Sequence, residues 1–244
     1  MMHSQKEKIK TIQRLYSDIS KDITSRLSEF NRLFKEGTDE DIFAELVFCI
    51  LTPQSKAQSC WECVEILKKD KLLLKGTPKE IAKKINKARF KNNKAKYIVE
   101  ARRKFIKNGK LNIKSQISQF ESTQEAREWL VNGTCPVRDR SPSGDRTEMS
   151  EAILISNGVK GIGYKEASHF LRNIGLGENI AILDRHILRN LKELGVIKEI
   201  LSSISKKKYL EIEGKMKEFS VSANIPMDHL DLVFWYKETG EVFK

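Results

Sequence analysis

The chain has 244 residues, room for one large helical domain or two small lobes sharing a core. Its 45 Lys and Arg against 33 Asp and Glu leave a formal charge of +12, the footprint of a polyanion binder, with nucleic acid the first partner to consider. Four cysteines do not suit a disulfide framework, and neither MMHSQKEKIK nor the longest apolar run, FAELVFCIL, makes a signal core or a membrane span, so a soluble intracellular protein is expected.

Strand signals are nearly absent while apolar residues recur at spacings of three and four, which predicts an all-α fold. IKTIQRLYSDISKDITSRLSEFNRLF, within about residues 4–34, reads as one or two amphipathic helices. Thr38 and Asp41 form an acidic capping box before FAELVFCIL, a helix apolar enough for the centre of the core. Thr52 and Pro53 are expected to stop that helix and restart the next, a device repeated at Thr77 and Pro78. Cys60 and Cys63 make a C-x-x-C, but SKAQSCWECVEILKK has helical periodicity and no second pair follows, so buried thiols are expected rather than a metal or iron–sulfur site. NNKAKYIVEARRKFIKNG predicts a basic helix closed by Gly109, and Ser122 with Glu125 caps AREWLV.

After Val131 the composition changes. Asn132 to Met149, NGTCPVRDRSPSGDRTEM, contains no lysine, three arginines and two of the five prolines, and reads as a loop inserted between helical segments. The short helix candidate SEAILISN follows, then VKGIGYKEASHFLRN, then ILDRHILRNLKELG with Asp184 at a helix start, and two final helices in SKKKYLEIEGKMKEFS and PMDHLDLVFWYKETG. Either AREWLV or EAILIS serves as the first arm of a hairpin around V-K-G-I-G.

Helix, V-K-G-I-G, helix is the helix-hairpin-helix pattern: Gly161 and Gly163 permit torsions and close approach that side chains obstruct, and the N–H groups opening the second helix offer a seat for a DNA phosphate. Such a seat positions a duplex without reading its sequence. Lys165 falls on the first turn of that second helix, where it either rests on a phosphate or attacks carbon, and Asp184 lies nineteen residues on, as a plain N-cap or as a partner in chemistry.

GVKGIGYK followed by ILDRHIL resembles the helix-hairpin-helix DNA glycosylase superfamily, whose bifunctional members carry a lysine and an aspartate at these two positions. Within it, ILTPQSKAQSCW, RFKNNKAKYI, VKGIGYKEASHFLRN, LDRHILRNL and FWYKETGEVFK are similar to the 8-oxoguanine DNA glycosylase/AP lyase group of archaea and thermophilic bacteria, in order along nearly the whole chain apart from the segment near residues 132–150. That resemblance implies a two-lobed helical fold over residues 1–244 with the active site between the lobes, approximately 1–35 plus 175–244 and 36–174, with the hairpin at about 150–174 and the insertion at about 132–149. It implies a base-excision repair enzyme of the prokaryotic cytoplasm and nucleoid, acting as a monomer on double-stranded DNA that contains 8-oxoguanine or abasic sites, with no cofactor, metal or membrane.

By the same resemblance Lys165 attacks C1′ of a flipped nucleotide and Asp184 stabilises positive charge developing on the sugar. An ordinary lysine amine, with a pKa of about 10.4, is neutral in about one molecule in a few thousand at pH 7, so such chemistry needs a site that favours the uncharged amine. Trp235 and Lys244 are placed in the pocket that separates 8-oxoguanine from guanine, Lys244 through its carboxylate or its ammonium, with Phe90 a second aromatic against the base and Gln54 reading a base edge or supporting the opposite strand. His169 and His186 are left to packing or phosphate contact. The alternatives are an endonuclease III-like pyrimidine-lesion glycosylase, which carries a four-cysteine cluster absent after Cys135 here, and a non-enzymatic helix-hairpin-helix DNA-binding module.

Overall fold

A computed structural model describes residues 2–133 and 158–244, with side chains from residue 6 onward, and helix dominates it. The chain divides into two compact units, Met1–Glu36 with Ser168–Lys244, and Gly37–Ala167. Helix α1 (Met2–Glu36) is one continuous rod of 35 residues rather than two helices. Its buried positions Ile12, Ile19, Ile23 and Phe30 fall at intervals of seven and four, a narrow apolar stripe that only a straight helix keeps on one face.

In the unit Gly37–Ala167 the core is built round α2 (Asp39–Leu51), buried at every position from Ile42 to Leu51. Its start is fixed locally: Asp41 N donates to Thr38 Oγ1 at 3.2 Å and Thr38 N to Asp41 Oδ2 at 3.1 Å, the reciprocal capping box. Burial raises the Asp41 pKa, but hydrogen bonds from Lys68 and Thr38 outweigh it and hold the carboxyl down at about 2. Around α2 lie α3 (Ala57–Lys69), α4 (Leu72–Lys75), α5 (Pro78–Lys84), α6 (Lys91–Lys104), α7 (Ile113–Ile117) and α8 (Thr123–Asn132). Phe105 meets Phe43 and Trp129 edge-on, at ring separations of 6.5 and 5.8 Å, which locks the end of α6 between α2 and α8.

Two expectations fail here for identifiable reasons. Pro53 does not begin α3, whose N-cap is Lys56; residues 52–55 form a turn with Gln54 at a φ of +56°. Lys94 Nζ draws the carbonyls of Leu51 and Pro53 to 2.7 and 2.8 Å, and that pull replaces the helical restart. Nor does α6 run to Gly109. It ends at Lys104, and Asn108-Gly109, with φ of +53° and +76°, turns the chain between the short antiparallel strands β1 (Ile106–Lys107) and β2 (Lys110–Leu111). Asn-Gly is the preferred pair for such a hairpin, and its signal outranks the helix-stop reading of the same glycine. Pro78 does open α5, behind a Thr77–Glu80 capping box.

The basic character of α6 is partly structural. Lys94 and Arg102 are buried, and Arg102 Nη2 caps the end of α4 at Gly76 O, 2.8 Å away. Lys104 Nζ reaches Gly158 O at 2.8 Å, where the described chain resumes. Val159 N donates to Leu130 O at 2.7 Å, and a Cβ on Gly158 would lie 1.9 Å from Val131 O. The chain therefore leaves α8 at Gly133 and returns at Gly158 against the same last turn. AREWLV, within α8, meets the chain entering the hairpin through Leu130; its rival SEAILISN lies outside the described residues, as do Cys135 and most of the proposed insertion.

The second arm, α9 (Tyr164–Asn173), contains the boundary between the units at Ala167 and Ser168. In the unit of Met1–Glu36 and Ser168–Lys244, α10 (Arg185–Glu193) and α11 (Lys206–Ala223) pack with α1 about α12 (Met227–Thr239). The extended approach to α10 is pinned by Tyr209 Oη, which donates to Ala181 O at 2.6 Å, and by Glu213 Oε2, which accepts from Ala181 N at 2.8 Å. Among the described residues no helix is long and apolar enough to cross a membrane.

Candidate active site

Five of the residues singled out in the sequence, Gln54, Phe90, Gly161, Gly163 and Lys165, fall in the unit Gly37–Ala167, while Asp184, Trp235 and Lys244 belong to the other.

The hairpin is tight because its backbone runs against an aromatic ring. Gly161 sits at a φ of +86° with Tyr97 beneath it, so an added Cβ would come 2.6 Å from the ring. Gly163 N donates to Glu166 Oε2 at 3.3 Å, so a carboxylate from the helix's own first turn occupies that donor. Lys165 stands on this turn with its side chain 24% exposed and its Nζ 3.7 Å from Glu166 Oε1. It is neither a free surface lysine nor a sealed one. The two arms are tied by Tyr164 Oη, hydrogen-bonded to Glu128 of α8, and by Arg127 over the Tyr164 ring at 5.5 Å.

Asp184 is the N-cap of α10, accepting from Ile187 N through Oδ1 at 2.8 Å. The cap engages one carboxylate oxygen and fixes the direction of the other. Two residues on, His186 stands edge-to-face with Trp235, ring centroids 5.3 Å apart, and its Nδ1 lies 3.4 Å from Glu238 Oε2. Glu238 also accepts from Arg189 Nη1 at 2.5 Å and Asn190 Nδ2 at 3.1 Å. Burial raises the Glu238 pKa, but these donors outweigh it and hold the carboxyl below its usual range. Thus the helix headed by Asp184 and the helix bearing Trp235 are joined by polar and aromatic contacts. Trp235 and Lys244 are both half-buried, and His169 is buried at 6% exposure, which fits packing.

Phe90 is 59% exposed and sits at a φ of +58°, like Gln54 a non-glycine residue in left-handed backbone. An exposed phenylalanine on a strained turn has no packing rationale of its own. Two functional features escaped the sequence reading, the Glu166 carboxylate at the hairpin and the inward-facing Lys94. The second left a signal, since Lys94 shares the buried stripe of Ile98, Ala101 and Phe105, where a lysine is out of place. Cys60 is buried against Leu51 O, and burial pushes its thiol up to about 11, an inert group. Among the described residues no cluster of three or more His, Cys, Asp or Glu could hold a metal ion.

The family model described as 8-oxoguanine DNA glycosylase matches residues 23–225. The chain belongs to that family. A relative in this family, the 8-oxoguanine DNA glycosylase/AP lyase of Fusobacterium nucleatum, is 45% identical over 96% of this chain and 96% of its own. The crystal structure of the Methanocaldococcus jannaschii 8-oxoguanine glycosylase/lyase in complex with a 15mer DNA containing 8-oxoguanine is 36% identical, with a TM-score of 0.78 and full coverage of both chains. The 8-oxoguanine DNA glycosylase of Thermotoga maritima superposes with a TM-score of 0.77 at 32% identity, over 98% of this chain and all of its own.

Proposed function

We propose that this chain excises 8-oxoguanine from double-stranded DNA and then cleaves the abasic strand, with Lys165 as the nucleophile of both steps. One observation supports the reading above the rest: a partly exposed lysine on the first turn behind a Gly161–Gly163 hairpin, in a chain that matches a glycosylase/AP lyase over 96% of its length.

The chemistry follows from what an amine does to an N,O-acetal carbon. The damaged nucleotide leaves the stack, because C1′ is out of reach inside a duplex. The neutral Lys165 amine forms an N–C1′ bond as the C1′–N9 bond breaks and the base departs with its electron pair and a proton. The deoxyribose ring then opens as the C1′–O4′ bond breaks and O4′ takes a proton from solvent, leaving an iminium that acidifies the C2′ protons. Loss of one of them expels the 3′ phosphate, and hydrolysis of the imine returns the free lysine. Asp184 carries negative charge that offsets the charge developing on the sugar as the glycosidic bond breaks. The oxidised base presents N7–H and a C8 carbonyl where guanine presents an N7 lone pair and a C–H. Trp235 stacks on it, an interaction worth about 1–3 kcal/mol per base, with Lys244, Phe90 and Gln54 supplying the remaining contacts. The hairpin at Gly161 and Gly163 holds the phosphate backbone in register, a phosphate replacing the Glu166 carboxylate at Gly163 N when DNA binds. The protein works as a monomer, without a cofactor.

Borohydride trapping tests this reading. Wild type incubated with an 8-oxoguanine duplex and borohydride is expected to give a covalent protein–DNA adduct and a nicked strand. Lys165→Gln is expected to bind the duplex and give neither. Undiminished nicking by Lys165→Gln would refute the reading, and no adduct with wild type would leave a DNA-binding module.

A further inference from the structure

The inward-facing Lys94 joins the segments that carry Gln54 and Phe90. Lys94 is 4% exposed, and its ammonium donates to Leu51 O at 2.7 Å, Pro53 O at 2.8 Å and Ser55 Oγ at 3.2 Å, so its three N–H groups are all directed to the turn around Gln54. Ser55 Oγ also accepts from Arg89 N at 3.0 Å, which ties the turn before Phe90 to the same hydroxyl. Lys94 N completes the loop by donating to Phe90 O at 3.0 Å. Burial pushes the ammonium below the usual lysine range.

Gln54 and Phe90 hold positive φ without being glycine, a strain that persists only where the surroundings over-determine it. Lys94 and Ser55 supply that constraint to both turns at once. None of the three hydrogen bonds goes to a carboxylate. A buried ammonium held by carbonyls is a costly way to fill space that Leu or Met would fill at no electrostatic penalty, so core stability alone does not account for the residue.

We propose that Lys94 is a positioning residue for base recognition: its ammonium fixes the Gln54 and Phe90 turns in register, so that the two meet the damaged base as one preformed edge. The inference rests on the reading of Gln54 and Phe90 as base-recognition residues. It predicts a split between two activities of the same lysine nucleophile. Excision needs the base to be read; cleavage at a preformed abasic site does not.

The test compares Lys94→Met, Lys94→Arg, Ser55→Ala, Gln54→Ala and Phe90→Ala in the full chain, by single-turnover excision from an 8-oxoguanine duplex, by nicking at a preformed abasic site, and by thermal melting. Lys94→Met is expected to slow excision by about tenfold or more, as misplaced positioning groups do, while nicking changes by less than about threefold. Lys94→Arg, whose guanidinium can also donate to carbonyls, is expected to restore much of the excision. Gln54→Ala should cost less in the Lys94→Met background than in wild type, because the turn it tests is already loose. If Lys94→Met is unfolded at the assay temperature, Ser55→Ala, which removes the hydroxyl shared by Lys94 and Arg89, carries the same expected split.

Equal loss of excision and nicking, tracking the unfolded fraction, makes Lys94 an ordinary structural residue and overturns the proposal. Normal excision by folded Lys94→Met, with Gln54→Ala and Phe90→Ala slow, removes the clamp and keeps the reading of the two turns. Normal excision by Gln54→Ala and Phe90→Ala removes that reading, and the clamp with it.

Discussion

His186 meets the Trp235 indole edge-to-face, with ring centroids 5.3 Å apart and planes at 83°. The contact runs from the first turn of α10, headed by Asp184, to the helix that ends in the base-recognition candidates. Glu238, one turn beyond Trp235, gathers His186, Arg189 and Asn190 and thereby holds the imidazole in place. An aromatic pair of this kind is worth about 0.5–1.5 kcal/mol beyond its area, so His186→Ala is expected to slow 8-oxoguanine excision by roughly two- to tenfold. Nicking at a preformed abasic site is expected to be unchanged. Single-turnover rates on the two substrates measure the difference, and an equal fall in both would assign His186 to the chemistry itself.

Asp184 combines a cap and a charge, and two substitutions separate them. Asparagine caps a helix about as well as aspartate, so Asp184→Asn keeps an acceptor for Ile187 N and removes only the charge. Its melting temperature and DNA affinity are expected to stay close to wild type while base release slows. Asp184→Ala loses the cap as well, at about 1 kcal/mol of stability. Unaltered single-turnover excision in Asp184→Asn would remove the aspartate from the mechanism.

The elements that depend on neighbours within four residues were legible in the sequence. Thr38 with Asp41, and Thr77 with Pro78, begin their helices where the letters place them, because a cap is satisfied by its own first turn. Pro53 carried the same local signal as Pro78 and did not start a helix, since an ammonium 41 residues away in sequence holds its carbonyl. Asn108-Gly109 was misread by weighing the glycine without its asparagine. In the site, the glycine spacing displayed Lys165 openly, whereas Lys94 and Glu166 were hidden among charges that look alike as letters. What distinguishes them is burial, which is set by tertiary packing.

Lys104 gives the fold a specific pH dependence. Burial pushes its pKa down from 10.5 to about 8. Below pH 8 both folded and unfolded chains hold the proton, and the folded state bears the full cost of the buried charge. Between about pH 8 and 10.5 the unfolded chain binds more protons than the folded one, so this group's contribution to stability rises with pH. Lys104→Met abolishes the titration. The stability of wild type relative to Lys104→Met is therefore expected to increase from pH 7.5 to pH 10, read from denaturant midpoints at each pH, and a flat difference would show that the amine titrates as it does in water.

Gly133 and Gly158, which flank residues 134–157, rest on the same helical turn, which makes removal of the segment between them a clean experiment. Val159 N is bonded to Leu130 O at 2.7 Å, Lys104 Nζ to Gly158 O at 2.8 Å, and Gly133 closes α8 at a φ of +71°. None of these contacts involves residues 134–157, so a chain joined from Gly133 to Gly158 keeps both arms of the hairpin. Loop-closure entropy changes only slowly with length, by about 0.6 kcal/mol per doubling, so shortening the connection is expected to leave the melting temperature within a few degrees. If α8 is the first arm, the deletion removes SEAILISN without touching the hairpin, and borohydride trapping through Lys165 should persist. A folded deletion variant that no longer forms the adduct would mean that the removed segment itself handles DNA, and one that fails to fold would show that the turn at Leu130 is not sufficient to hold Val159 in place.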